Sequence, residues 1–174
     1  MNPAPTVQAL YAAHFDHVWH TLRRLGVPAR ELEDAAHDVF VVVHRRHGEL
    51  DPSRPARPWL TGIAWRVASD TRRRAHLRRE WLDADAGDGC ADGTPAADEA
   101  LAAHEARALV DAALGALDLD RRVVFVMHEL DGESGPAIAD ALEIPLNTVY
   151  SRLRTARERF RAAVRRLALT RGAA

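Results

Sequence analysis

The sequence predicts an all-α fold of two small helical domains joined by a flexible acidic linker. Apolar residues recur at three- and four-residue spacing through most of the chain, as in amphipathic helices, and no alternating strand pattern competes with them. Residues 82–97 combine small residues, Gly, Pro and four Asp without apolar periodicity, which is typical of a flexible linker. We therefore predict domains over residues 6–80 and 98–169, with the linker over residues 81–97.

Glycines and prolines set the helix boundaries of the N-terminal domain. Gly26 and Gly48 are expected to end the first two helices, because glycine readily adopts the left-handed conformation found after a helix. Pro52 and Pro55 mark a loop before the third helix. The predicted helices are residues 6–25, 28–47 and 58–79.

Two further helices are predicted between the linker and residue 131. Asp98 is placed to cap a helix that extends to about Leu117, and Asp120 to open another that extends through Leu130. The C-terminal domain is therefore expected to begin as a helical pair.

The segment after residue 131 has the layout of a helix-turn-helix. Ser134 is placed to cap a short helix that ends near Leu142, and Pro136 fits its first turn without the loss of an intrahelical bond. Pro145 disfavours helix at the residue before it, so a second helix is expected to begin at Asn147 or a neighbour. Two helices at a steep angle, joined by a tight turn, are typical of DNA-binding proteins.

The last helix separates an apolar side from a cationic one at 3.6 residues per turn. The side expected to pack inward is formed by Val149, Leu153, Ala156, Phe160, Val164 and Leu167. The opposite side is formed by Tyr150, Ser151, Arg154, Thr155, Glu158, Arg161 and Arg165, with Arg152 and Arg157 at its flanks. Such a side suits a major groove, because Arg binds guanine edges and hydroxyls bind bases or phosphates. A merely solvated cationic helix is the alternative.

The third helix has a second polar side. Leu60, Ile63, Ala64 and Val67 form its apolar stripe, whereas the other side carries Gly62, Trp65, Ser69, Arg72, Arg73 and His76. An exposed Trp among arginines can stack on an unpaired base while the arginines hold phosphates. Packing of Trp65 on a neighbouring domain, or against Arg through a cation–π contact, is the alternative.

Charge is segregated along the chain despite a net charge of −1. Residues 1–80 hold 13 Arg against 9 acids, residues 81–120 hold 1 against 10, and residues 121–174 hold 10 against 6. Each basic block suits a polyanionic partner. Cys90 is the single cysteine, so no cysteine-based zinc site or intrachain disulfide is expected. Because no apolar run reaches the ~20 residues of a membrane span and no signal-peptide pattern occurs, we expect a cytoplasmic protein.

Three segments carry motifs that occur together in one bacterial family. Residues 33–40 read EDAAHDVF, where the family has a sequence like EDLVQEVF. Residues 57–66 read RPWLTGIAWR, similar to AWLYRIARN, and residues 133–157 read ESGPAIADALEIPLNTVYSRLRTAR, similar to LSYEEIAEILGCPVGTVKSRLHRAR. In this order, around an acidic linker, the motifs resemble the extracytoplasmic-function (ECF) sigma factors, which are promoter-specificity subunits of RNA polymerase.

The resemblance implies roles for three surfaces. The family docks on the polymerase clamp helices at the positions of Asp34, His37 and Asp38. It melts and reads the promoter element near position minus 10 with the loop 48–57 and with a helix that here carries Trp59, Trp65, Arg66, Ser69, Arg72 and Arg73. It reads the element near minus 35 at the positions of Thr148, Tyr150, Ser151, Arg154 and Thr155, while Arg152 and Arg157 are expected to hold phosphates.

The chain departs from the family pattern at five positions. His37 stands where Gln is usual, and Arg66, preceded by an atypical Trp65, stands where Asn is usual. Gly135 and Pro136 replace a common bulky and acidic pair. We expect the contacts at these positions to differ from those of the family.

The resemblance implies core RNA polymerase, through its β′ clamp helices and β flap, and promoter DNA as partners. An anti-sigma factor is common in the family, and neither catalysis, a cofactor nor a metal is expected. One alternative is a stand-alone helix-turn-helix regulator, which usually dimerises on two half-sites. Another is a metal-dependent enzyme, suggested by the His14, His17 and His20 run with Asp16, although such spacing drifts around a helix.

Overall fold

The computed structural model describes residues 5–81 and 98–172, with side chains over residues 5–74 and 106–170. Every regular element in these ranges is helical, so the predicted all-α class is confirmed. The helices are α1 (Val7–Arg24), α2 (Leu32–Arg46), α3 (Ala56–Trp81), α4 (Asp98–Gly115), α5 (Leu119–Phe125), α6 (Gly135–Leu142) and α7 (Leu146–Gly172). Short 3₁₀ turns, Ala29–Glu31 and His47–Glu49, flank α2, and a π-helical stretch, Val126–Leu130, continues α5. Residues 82–97 of the predicted linker lie outside the described residues, whereas Trp81, placed in the linker by the prediction, ends α3.

The ends of α1 follow the predicted signals. The Thr6 hydroxyl accepts a hydrogen bond from the Ala9 amide at 3.2 Å, which satisfies one of the free donors of the first turn. Gly26 follows the helix with a φ of +83°, a conformation that glycine adopts at little cost. The stop predicted at Gly26 is therefore confirmed.

The start of α5 differs from the prediction. The capping residue is Asp118, whose side chain accepts from the Arg121 amide at 3.1 Å, and Asp120 lies in the first helical turn. A cap oxygen must reach an amide two or three residues ahead, and Asp118 does so here. Asp120 instead pairs with Arg152 of α7 at 2.8 Å. The prediction of Asp120 as the residue that opens this helix was wrong by two positions.

The N-terminal helices (α1–α3) and the C-terminal helices (α4–α7) share one apolar core. Its buried members come from α1, α2 and α3, and also from α5, α6 and α7, including Val123, Ile138 and Leu153. A smaller cluster joins α4, α5 and α7 around Leu114 and Phe125. Helix α6 lies against α3, so the helix-turn-helix packs directly on the third helix. Burial of these apolar side chains is the main force that holds the two groups together.

A half-buried histidine makes the stability of the N-terminal helices pH-dependent. His17 Nε2 lies 3.0 Å from the Thr61 hydroxyl, and burial, followed by the charge of Arg57, lowers the pKa of His17 to about 4. The folded protein therefore keeps His17 neutral, whereas the unfolded chain takes up a proton below its ordinary pKa of 6.5. The contribution of neutral His17 to the free energy of unfolding is fully present above about pH 6.5 and is lost as the pH falls toward 4.

We expect the melting temperature to fall between about pH 6.5 and pH 4 more steeply in the parent than in His17→Gln, which has no proton to take up on unfolding. The matched control is His44→Gln, since His44 is exposed. Thermal melts across this pH range check the prediction. An identical pH slope in the parent and in His17→Gln would contradict it.

Candidate nucleic-acid and polymerase interfaces

The helix-turn-helix is formed as the sequence predicts. The Ser134 hydroxyl accepts from the Ala137 amide at 3.3 Å, and Pro136 lies in the first turn of α6. Glu143 ends α6 in the left-handed region with a φ of 56°. The Pro145 carbonyl then accepts from the amides of the first turn of α7, with an N–O distance of 2.9 Å for Thr148. The turn is therefore held by backbone hydrogen bonds.

The inward side of α7 fixes how the helix is rotated. Val149, Leu153 and Ala156 are buried, and Phe160 stacks on Phe125 with 4.6 Å between ring centroids. The predicted apolar side is thus confirmed for these residues. Because this side packs on the core, the opposite side of α7 faces away from it.

The outward side of α7 presents its predicted reading residues with one unpaired arginine at the centre. Tyr150, Ser151 and Arg154 are exposed, and the Ser151 and Thr155 hydroxyls donate to carbonyls one turn earlier. Among the described side chains, Arg154 has no carboxylate partner. Its donors are therefore available to a base edge or a phosphate.

The flanking arginines are held by acidic residues of the neighbouring helices. Arg152 pairs with Asp120 at 2.8 Å. Arg157 donates through Nε and Nη2 to one oxygen of Glu129, at 2.9 and 2.6 Å, and this hydrogen bond lowers the pKa of Glu129. These guanidinium groups are oriented before any ligand arrives, but their charge is partly neutralised.

The presence of glycine at position 135 has a structural reason that the sequence does not reveal. The Tyr150 ring and hydroxyl lie over it, so a Cβ at Gly135 would stand only 2.8 Å from the Tyr150 oxygen. A bulky residue, as is common in the family, would displace Tyr150 from this position. The departure at Gly135 therefore bears on how Tyr150 is placed on the outward side of α7.

The acidic side of α2 is exposed as predicted. Asp34, His37 and Asp38 all face solvent, whereas Ala35, Ala36 and Val39 on the same helix are buried. Asp38 also lies 3.8 Å from Arg74 of α3. The three polar groups thus form one face that is not used by the core.

The second side of α3 is more covered than the sequence suggests. Gly62 is buried, and Trp65 is half-buried, packs against the core and has its Nε1 atom buried. The expectation of an exposed Trp65 was wrong for this conformation, because its side chain packs against the shared core, and α6 lies against α3 one turn earlier, at Gly62. Trp59 is half-buried as well.

Further along α3 the predicted DNA-binding side chains reach solvent. Ser69, Arg72 and Arg73 are exposed, and Arg73 pairs with Asp70 at 3.0 Å. Arg66 is half-buried and binds Glu143 of the C-terminal helices at 2.7 Å. The structure therefore separates an open end of this surface from an end that is in contact with α6.

The described residues provide no arrangement for a metal site or a membrane span. No group of three or more His, Cys, Asp or Glu side chains within them is placed to hold a metal ion, and the His14, His17 and His20 run is no exception. None of the helices in the described ranges combines the length and apolarity needed to cross a bilayer.

A helix-turn-helix with an unpaired arginine at its centre, on an all-α chain with a separate cationic helix, defines a DNA-binding transcription protein. Two family models match: Sigma-70 region 2 over residues 10–80 and Sigma-70, region 4 over residues 107–160. The chain belongs to the sigma-70 family of RNA polymerase sigma factors and is of the ECF type. We call α1–α3 region 2 and α4–α7 region 4.

The chain is similar to curated sigma factors along most of its length. It is 33% identical over 170 residues to the ECF RNA polymerase sigma factor SigL of Mycobacterium tuberculosis, covering 97% of this chain and 94% of SigL. It is 30% identical over 159 residues to the RNA polymerase sigma factor CnrH of Cupriavidus metallidurans, covering 88% of this chain and 83% of CnrH. The ferric citrate uptake sigma factor FecI of Escherichia coli is 30% identical over 146 residues, covering 83% and 82%.

Two solved structures are similar in fold. CnrH in complex with the cytosolic domain of CnrY has a TM-score of 0.59 and 26% identity, over 90% of this chain and 85% of that chain. The sigma factor RpoE of Bartonella quintana, in complex with the anti-sigma factor NepR, has a TM-score of 0.71 and 16% identity, over 91% and 96%. The second likeness concerns the fold alone.

Proposed function

We propose that this sigma factor binds core RNA polymerase through region 2 and reads its promoters through α3 and α7. The observation that carries the proposal is the outward side of α7, where Arg154 is exposed between neighbouring arginines that are already held by acidic residues. The Arg154 guanidinium is left for base recognition, while the paired arginines beside it keep the helix oriented. The protein would act in the cytoplasm, where polymerase and promoter meet.

The polymerase contact is assigned to the exposed face of Asp34, His37 and Asp38 on α2, which would meet the β′ clamp helices. Region 4 would meet the β flap. The proposed functional units are residues 6–80 and 98–169. Support for the α2 face comes from its position opposite the buried side of the helix: all three groups are exposed, and the ion pair of Asp38 with Arg74 at 3.8 Å is a surface contact that costs little to exchange for a partner.

We expect the double substitution Asp34→Ala and Asp38→Ala to lower the affinity for core RNA polymerase by about ten-fold or more, because charged groups at an interface fix the register of docking. The fold should be unaffected, since exposed charges contribute little to stability. Titration of labelled protein with core polymerase checks this. The control is Asp16→Ala, an exposed acid of α1 outside the α2 face. Equal affinity of the parent and the double variant for core polymerase would contradict the assignment of Asp34 and Asp38 to polymerase docking.

The promoter contacts are assigned to two surfaces. Ser69, Arg72 and Arg73 at the open end of α3, together with Trp59, Trp65 and Arg66, would hold the melted element near minus 10. Thr148, Tyr150, Ser151, Arg154 and Thr155 would read the duplex element near minus 35, with Arg152 and Arg157 on phosphates. Stacking on unpaired bases and base-edge hydrogen bonds are the interactions that these residue types provide.

An anti-sigma factor is a further proposed partner. Of the solved structures described above, CnrH is in complex with the cytosolic domain of CnrY, and the sigma factor RpoE is in complex with the anti-sigma factor NepR. Affinity purification of the tagged chain from its own cells, with identification of bound proteins, tests this. Recovery of core polymerase without any further stoichiometric partner would count against it.

The experiment for the proposed function as a whole is a binding assay with and without core polymerase. We expect sequence-specific promoter binding only when core polymerase is present. Tight binding of the free protein to a duplex palindrome would instead favour a stand-alone helix-turn-helix regulator.

A further inference from the structure

The first residue of α6 is buried beneath a side chain of α7. Gly135 is buried, although Ser134 and Pro136 on either side of it are exposed. The three atoms nearest to the position of a Cβ on Gly135 all belong to Tyr150: the hydroxyl oxygen at 2.8 Å, Cζ at 2.9 Å and Cε1 at 3.0 Å. The Tyr150 ring therefore occupies the volume that a side chain at position 135 would need.

The sequence shows the same exchange of a ring between the two helices. The family-like sequence given above for residues 133–157 has Tyr at the position of Gly135 and Lys at the position of Tyr150. In this chain α7 supplies the ring and α6 leaves the space for it. A flexible cation on the outward side of α7 is thereby replaced by an aromatic ring that rests on the backbone of α6.

The backbone under the ring is held in place. The Ser134 hydroxyl caps α6 by accepting from the Ala137 amide, and the ring of Pro136 fixes φ in the first turn. Tyr150 itself is 49% exposed, on the same side of α7 as Arg154. One part of the Tyr150 ring thus lies on α6 while the other part faces solvent. A side chain placed in this way before DNA arrives loses less conformational freedom on binding.

We propose that Gly135 is a positioning residue that fixes Tyr150 as a reader of thymine in the upstream promoter element. The inference deepens the proposed function and rests on the reading of duplex DNA by α7. The atoms nearest Gly135 are one edge of the ring and its hydroxyl, so the opposite edge, formed by carbon atoms alone, is turned away from α6. Apolar groups recognise the 5-methyl group that thymine, alone among the four bases, presents in the major groove.

One substitution on α6 moves the ring while all residues of α7 are retained. Gly135→Leu places a side chain where the Tyr150 ring lies, and the ring, as the end of a side chain, turns toward solvent without a change of fold. The matched control is Pro136→Ala, the next residue of α6, which is exposed. Tyr150→Ala removes the ring itself, and Gly135→Leu should reproduce its effect on base preference.

The position of the ring is measured in the free full-length protein, without DNA. The chain has two tyrosines, Tyr11 and Tyr150, so labelling with meta-fluorotyrosine gives two fluorine resonances, and Tyr11→Phe identifies the one from Tyr150. We expect Gly135→Leu to move the Tyr150 resonance toward its position in the unfolded chain and to leave the Tyr11 resonance in place. Pro136→Ala should retain both. An unchanged Tyr150 resonance in Gly135→Leu would overturn the proposal.

Base preference is measured by selection from randomised upstream elements with holoenzyme. The parent should select thymine at a position where Tyr150→Ala has no preference. Gly135→Leu should lose the preference at this same position although Tyr150 is still present, and Pro136→Ala should keep it. A purely structural role of Gly135 would weaken binding to all elements alike. The same thymine preference in Gly135→Leu as in the parent would therefore overturn the positioning role.

Removal of a single methyl group tests the chemistry of the contact. Deoxyuridine in place of the selected thymine lacks only the 5-methyl group. We expect the affinity of the parent holoenzyme to fall about four-fold, as for one buried methyl group, and the affinities of Tyr150→Ala and Gly135→Leu to stay the same. Equal binding of the parent to both DNAs would overturn thymine reading by Tyr150.

The two kinds of readout distinguish this proposal from the proposed function. If the parent holoenzyme selects no upstream element at all, the reading of promoters by α7 is refuted, and the thymine contact with it. The fluorine resonance of Tyr150 in the free protein does not depend on promoter reading and still decides whether Gly135 positions the ring. If the parent selects an element that Gly135→Leu leaves unaltered, only the further inference is refuted.

Discussion

Arg154→Ala is expected to cost on the order of 1–3 kcal/mol on the preferred upstream promoter element and to relax preference at one or two base pairs. Arg154 lies at the centre of the outward side of α7, is exposed, and has no carboxylate partner among the described side chains. Its fork of donors can therefore bind a guanine edge without first breaking an ion pair.

The matched variant is Arg157→Ala, at the flank of the same helix. Arg157 is tied to Glu129 at 2.6 Å, so its remaining donors suit a phosphate at a fixed register. Its loss should weaken all sequences alike and reduce the salt slope by about one ion. Selection from randomised upstream elements with holoenzyme measures both variants. An unaltered motif for Arg154→Ala, or an altered one for Arg157→Ala, would reverse the two assignments.

Trp65→Ala is expected to reduce open-complex formation by on the order of 1–3 kcal/mol while closed-complex binding is retained, because stacking is available only to unpaired bases. Trp65 is half-buried and packs against the shared core, with part of its side chain accessible. Permanganate footprinting of the melted region, beside a closed-complex binding assay, measures the two steps.

Trp65→Phe is the control for this prediction, since Phe keeps an aromatic face and part of the packing. It should retain most of the open complex, whereas Ala should lose it. Thermal melts of both variants separate stacking from the packing that Trp65 contributes to the core. Equal footprints for Trp65→Ala and the parent would mean that Trp65 acts in packing alone.

Local signals explain why much of the fold could be predicted from the sequence. Thr6, Gly26 and Ser134 each act through residues within one helical turn, so their effect is visible in a short window. The buried stripe of α7 follows from the 3.6-residue period for the same reason. The DNA-reading and polymerase-binding roles came from motif resemblance, and for individual residues they remain predictions.

The parts that could not be predicted depend on contacts distant in sequence. The close approach of α6 to α3 at Gly62 becomes visible only when Ala141 is placed over it. The pairing of Arg66 with Glu143 joins residues that are far apart along the chain. The segregation of charge indicated a polyanionic partner for region 2 but not that region 4 supplies carboxylates to it.

The central claim, that this chain gives promoter specificity to RNA polymerase, is tested most directly by transcription of fragmented genomic DNA with core polymerase and the purified protein. Sequencing of the 5′ ends should find start sites absent from core polymerase alone, preceded by two shared sequence elements at constant spacing. The same 5′ ends with and without the protein, under conditions where another sigma factor is active, would contradict the claim.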